Sequence, residues 1–136
     1  MTVTDSRQGP GTLTLGTLTG AGCQMSNVKL VPSQDSEDGT PTLCEPNPAP
    51  LVTESWSLEG TAVQDWEKSD GFVEFCRLNS GNTVSFEWVP NSTLSPKPTF
   101  SGSCQVRAVE FGGAIGVQNT TEFSFPVVGA LTRTEV

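Results

Sequence analysis

Apolar and polar residues alternate over several short stretches, and this period of two is the mark of half-buried strands. Thr12-Leu13-Thr14-Leu15 opens the pattern. After a turn at Gly20-Ala21-Gly22, Cys23 to Val31 predicts a second strand with Val28 and Leu30 on one face. Leu51 to Glu59 places Val52, Trp56 and Leu58 on one side, and Gly60 and Ala62 carry the strand onward. In Asn82 to Val89, Val84, Phe86 and Trp88 share a face. In Thr99 to Phe111 the set is Cys104, Val106 and Ala108, with Val109 and Phe111 on the opposite parity, as at a bulge or a strand buried on both faces. Thr120 to Val128 alternates Phe123, Phe125 and Val127 with Glu122 and Ser124.

One stretch has a different period. From Trp66 to Leu78, Phe72, Phe75, Cys76 and Leu78 recur at helical spacing. Asp65 is one cap for this helix. Gly71 weakens the first turn and moves the expected start to Ser69 or Asp70. Asn79-Ser80-Gly81 stops it. Strands with a single short helix among them predict an all-β domain, a β-sandwich or partly closed barrel with one flanking α-helix, as one unit over residues 1–136.

Three segments break the alternation. Residues 1–11 are polar, end in Gly9-Pro10-Gly11, and are expected to form a mobile arm. Residues 32–50 hold Pro32, Pro41, Pro46, Pro48 and Pro50, half of the chain's 10 prolines. Proline cannot donate to a strand ladder, so a long loop is expected there rather than a central strand. Residues 129–136 are expected to be loose or to lie on a neighbour.

Composition narrows the chemistry. The chain has no His and no Tyr, and 15 acids against 7 bases give a net charge of −8. Without His, the usual proton shuttle and commonest transition-metal ligand are missing. Phosphate grip needs clustered Lys and Arg, so nucleic-acid binding is disfavoured. The acids cluster: residues 35–74 contain ten of them and only Lys68 in opposition. Such a surface solubilises, or repels a polyanion. Four cysteines, at 23, 44, 76 and 104, permit two disulfides, but none has the CxxC spacing of a zinc site. The opening residues Met1 to Arg7 lack the apolar core of a signal peptide, so reduced thiols are expected and the sequons at Asn91 and Asn119 are read as chance. The Asp35 to Gly39 run lacks the spaced ligands of a calcium loop, and the glycine-rich turns lack the lysine of a phosphate loop. No cofactor, metal or catalytic residue is expected.

The succession of motifs carries a resemblance. Gly9 to Gly16, then Cys23-Gln24, then Thr40-Pro41-Thr42-Leu43-Cys44 lead into Leu58-Glu59-Gly60-Thr61-Ala62-Val63-Gln64-Asp65. Gly71-Phe72-Val73-Glu74-Phe75, Val84 to Pro90, Gly112-Gly113 with Gly116, and Glu122 to Gly129 follow. In this order they resemble the major tail proteins, or tail tube proteins, of long-tailed non-contractile bacteriophages, especially those of actinobacterial hosts. The resemblance spans nearly the whole chain and rests on strand and turn patterns. It implies a structural virion protein, assembled in the host cytoplasm, that forms hexameric rings stacked into a tube. It implies a tape-measure protein, a tail terminator and distal tail proteins as partners, DNA passing through without specific binding, and no membrane. Strands continuing between monomers and a long loop reaching the adjacent ring are also implied. Asp35, Glu37, Asp38 and Glu45 are the residues expected at the inter-ring loop, and Glu54, Glu59 and Glu87, on outward strand faces, those expected to face the lumen. A tube terminator or head-to-tail protein, and a secreted Ig-like or carbohydrate-binding module, are the competing expectations.

Overall fold

The computed structural model describes residues 7–65 and 71–135. Six strands and one α-helix follow in the order β1 (Thr12–Leu15), β2 (Met25–Glu37), β3 (Leu51–Val63), α1 (Phe72–Leu78), β4 (Thr83–Val89), β5 (Pro98–Gln105) and β6 (Thr120–Glu135). The strands form one antiparallel sheet in the order β1-β4-β5-β6-β3-β2. The fold is all-β with a single flanking helix, as the alternation predicts.

One face of every strand enters a single apolar cluster. Leu13 and Leu15 come from β1, Val28 from β2, Leu58 and Ala62 from β3, Phe86 from β4, Cys104 from β5, and Phe123 and Phe125 from β6. A flat sheet could not bring both edges to one cluster, so the sheet curls, as twisted sheets do. Its edge strands come to share a cleft of about 340 Å³, with residues 9–13 on one wall and 25–28 on the other. Helix α1 plugs the curl. Phe72 and Cys76, one turn apart, are fully buried, and the Phe72 ring lies 5.0 Å from Phe123 and 6.0 Å from Phe125. Aromatic pairs at these distances add about 0.5–1.5 kcal/mol beyond their buried area.

Strand β6 makes the curl possible because it changes partner along its length. Its first half, Thr120 to Pro126, pairs with β3. Its second half, from Val127 to Glu135, pairs with β5. Gly129 adopts φ +83, and the β5 register slips between Ser101 and Ser103, so the strand bends there.

The structure revises several expected boundaries. The segment expected as a loop over 32–50 is strand up to Glu37, and the irregular part is 38–50. Pro32 is tolerated because β2 is an edge strand. The expected loose tail 129–136 is strand through Glu135, held by pairing to β5. The expected strand to Phe111 ends at Gln105, and Val106 adds one last rung to the ladder with its N–H donating to the Asn82 carbonyl at 2.8 Å. The second strand begins at Met25 because Ala21 to Gln24 form a 3-10 turn. Residues 7–11 of the expected mobile arm are docked: Gly9 N–H donates to the Pro90 carbonyl at 2.6 Å, and Ser92 N–H to that of Pro10 at 2.7 Å. Residues 1–6, and the expected helical segment from Trp66 to Asp70, lie outside the described residues.

Candidate assembly surfaces

The feature that departs most from a closed domain is the far end of the β2–β3 hairpin. The two strands remain paired from Val31↔Ser57 out to Glu37↔Leu51. β6 leaves β3 at Ser57↔Pro126, so this outer ribbon has no other described strand beside it. At about 3.4 Å per residue it projects about 20 Å. Every residue from Pro32 to Asp38 and from Ala49 to Ser55 is exposed. An isolated two-stranded hairpin is marginally stable in water.

The tip is shaped. Thr42 N–H donates to the Glu45 carbonyl at 3.0 Å, and Glu45 N–H to the Thr42 hydroxyl at 3.1 Å. This tight turn holds Leu43 fully in solvent and leaves Cys44 exposed. Leu51 and Val52, where the chain re-enters the ribbon, are 65% and 63% exposed. Asp35, Glu37, Asp38 and Glu45 all belong to this ribbon and tip, and all four are exposed. The four acids expected at the inter-ring loop thus stand on one projecting element.

The second acidic set does not share one face. Leu58 and Ala62 face the core, so even-numbered positions of β3 lie on the core side and odd-numbered positions face outward. Glu59 is outward, accepts the Ser57 hydroxyl at 3.0 Å and stands opposite Lys29. Glu87 is outward too, exposed, between Thr14 and Ser101 on the neighbouring strands. Glu54, expected with them on an outward face, lies on the core-side parity of the ribbon, where Gln34 Nε2 approaches it at 3.4 Å. Its face differs from theirs because strand parity, not charge, decides the face. Around Glu87 the outward surface is hydroxyl-rich, with Thr12, Thr14, Thr83, Ser85, Ser101 and Ser103.

Where β3 and β6 part, the core opens as a groove of about 560 Å³ lined by Leu30, Trp56, Trp88, Phe100 and Leu131. Trp88 and Phe100 stand 5.7 Å apart. Both Trp56 and Trp88, which alternation places on the faces of Leu58 and Phe86, are half-buried at its open end.

Several structural roles carry no periodic signal. Gln24 Oε1 accepts the Phe72 N–H at 2.9 Å, capping α1 from a distant turn, with Gly71 at the N-cap position. Buried Gln64 pins the segment after β5: its Nε2 donates to Gly112 and Thr120 carbonyls at 3.2 and 3.1 Å, and its Oε1 accepts Gly112 N–H at 2.8 Å. Asn91 of the first sequon is buried. Its Nδ2 donates to the Arg7 carbonyl at 3.1 Å, and its Oδ1 accepts from Thr93. The four cysteines are free thiols, Cys23 and Cys44 exposed, Cys76 and Cys104 buried. Burial pushes Cys76 up to about 12, with Cys104 nearby adding to it, and burial pushes Cys104 up to about 11. Glu74 is held below the usual carboxylate range by its hydrogen bond from Arg77, one turn along α1.

Among the described residues, no three His, Cys, Asp or Glu side chains stand together as a metal site. No described helix is long and apolar enough to cross a membrane. The sequence matches no family model, and no curated protein matches it.

Proposed function

We propose that the protein is a structural subunit that assembles with copies of itself into stacked rings, as the tail tube of a long-tailed, non-contractile phage. The observation that carries this reading is the β2–β3 ribbon, exposed on both faces and without a described strand on either side. Open strand edges are templates for another chain. A contact between different edges of successive subunits is heterologous, and it closes into a ring when the rotation closes. The projecting acidic tip with Leu43 is the element suited to reach a subunit of the adjacent ring. The hydroxyl-rich outward face with Glu59 and Glu87 suits a conduit, because DNA phosphates find acids and small polar groups there and no cluster of bases.

In this reading the partners are a tape-measure protein within the tube, a terminator and distal tail proteins at its ends, and DNA in transit. The location is the virion tail, and the role is mechanical rather than catalytic. Sedimentation velocity over a wide concentration range tests it. The expected result is a step from monomer to a closed ring of uniform mass, six subunits by the resemblance, followed by multiples of that ring. A continuous, unbounded mass distribution contradicts it.

A further inference from the structure

If copies of the chain join, the strand edges indicate which two edges meet. The short strand β1 is partly closed on its free side: Gly22 packs against Leu13 N, and Leu15 bridges to Leu18. The outer edge of β2 is blunted. Pro32 stands opposite Trp56, between Val31 and Ser33, whose carbonyls accept the Ser57 and Ser55 hydroxyls at 3.4 and 3.5 Å. Positions alternate, so the backbone of Pro32 faces the open edge, where it has no N–H to offer. On the same edge the Val28 carbonyl is taken by Gln8 Nε2 at 2.9 Å. Asp35 and Glu37 would repel a second β2.

Two edges remain. One is the side of β3 turned away from β2, from Leu51 to Trp56. The other is the side of β6 turned away from β5, from Val127 to Glu135. Neither has a described strand beside it. Neither contains a proline, and their side chains are complementary in one register.

We propose that Leu51–Trp56 of one copy pairs antiparallel with the second half of β6 of the next copy, with Glu54 opposite Arg133. That register puts Trp56 opposite Leu131 and Ser55 opposite Thr132. Thr53 then faces Thr134. Residues directly opposite in a ladder share a face, so the incoming Trp56 lands on the core side beside Leu131 and covers the groove floored by Trp88 and Phe100. Arg133 already lies on that side, opposite Phe100, and its Nη2 donates to Glu135 at 2.9 Å. It has donors to spare for Glu54. Sliding the register by two in one direction sets Glu54 against Glu135. Sliding it the other way sets Trp56 over Gly129, which has no side chain to meet it. The contact uses different surfaces on the two copies, so every subunit gives one edge and receives one.

The inference rests on the self-assembly reading, and mixing two proteins that each carry one exposed cysteine, Cys76 and Cys104 remaining buried, separates the two. In a Cys23→Ser, Cys44→Ser background, Ser55→Cys protein is mixed with Thr132→Cys protein, and diamide takes up the two electrons and two protons released as a disulfide forms. A disulfide dimer is expected in the mixture and not in either protein alone. A companion experiment compares Glu54→Arg, Arg133→Glu and the double exchange by light scattering. Each single exchange is expected to raise the concentration at which assembly begins about tenfold, and the double exchange to restore it. Rings that form without the mixed disulfide and without rescue overturn the edge pairing and leave the assembly reading standing. A mixed disulfide without closed rings upholds the pairing and removes the ring. Absence of both disulfide and assembly overturns the pairing and the reading together.

Discussion

Removing the outer ribbon is expected to separate folding from assembly. The perturbation deletes residues 35–53 and joins Gln34 to Glu54 through Asn-Gly, a two-residue turn that suits an antiparallel hairpin. The deletion removes the pairs Asp35↔Thr53, Ser36↔Val52 and Glu37↔Leu51 and the tip beyond them. Fully burying a Leu or Val contributes about 1.5–3 kcal/mol. Leu51 and Val52 are 65% and 63% exposed, and Leu43 buries nothing, so about a third of that contribution applies to two residues. The apolar loss is about 1–2 kcal/mol. No residue of the core cluster is touched. The expected change in subunit stability is therefore within about 1–2 kcal/mol of zero, read by urea denaturation with an unchanged cooperative transition. Assembly, read by light scattering and sedimentation, is expected to be lost. A subunit destabilised by more than about 4 kcal/mol, the scale of a core truncation, would show that the ribbon is part of the fold. Normal tubes from the deleted protein would show that it is not an assembly element.

Phe72→Ala removes the helix anchor from the cluster with Phe123 and Phe125 and is expected to cost about 3–5 kcal/mol in urea denaturation. Gly60→Ala should be similarly disruptive, because a Cβ there runs into the Asn27 carbonyl, and a wild-type melting temperature would contradict the register. In the folded protein at pH 8, a thiol reagent is expected to label Cys23 and Cys44 quickly, and Cys76 and Cys104 only on unfolding. Cys76 and Cys104 titrate at about 12 and about 11 in the fold against 9.0 unperturbed, so the folded state holds their protons more tightly. Their contribution is complete below pH 9 and is lost as the pH rises towards those values, so denaturation midpoints should fall across that window more in the wild type than in Cys76→Ala. Glu59→Lys with Glu87→Lys should give assemblies that retain DNA in a salt-sensitive way, where the wild type does not.

The core was legible because alternation reports burial directly. The expected inward positions Leu58, Phe86, Cys104, Phe123 and Phe125 are buried, and the helix brings Phe72 and Cys76 inward at its own period. Extent was less legible. Pro32 reads as a strand breaker until its edge position is known, and edge position is a property of the whole sheet. The tail after Gly129 reads as loose because the glycine interrupts the pattern, yet the strand bends there and continues on β5. Capping by Gln24 and pinning by Gln64 leave no local trace, since their partners lie 48 residues or more away. The acids of the projecting tip stand out in the sequence by charge and proline density. The fork between β3 and β6, with its aromatic groove, follows only from β6 changing partner, which a one-dimensional pattern does not encode.

The central claim is that this subunit completes itself on copies of its own chain in a closed, stackable form. Electron microscopy of the purified full chain over a concentration series, with end-on views averaged, tests it most directly. The account predicts hollow rings of a single size at low concentration and tubes of that same diameter at higher concentration. Solid filaments without a central channel, or particles that remain single subunits at every concentration, would contradict it.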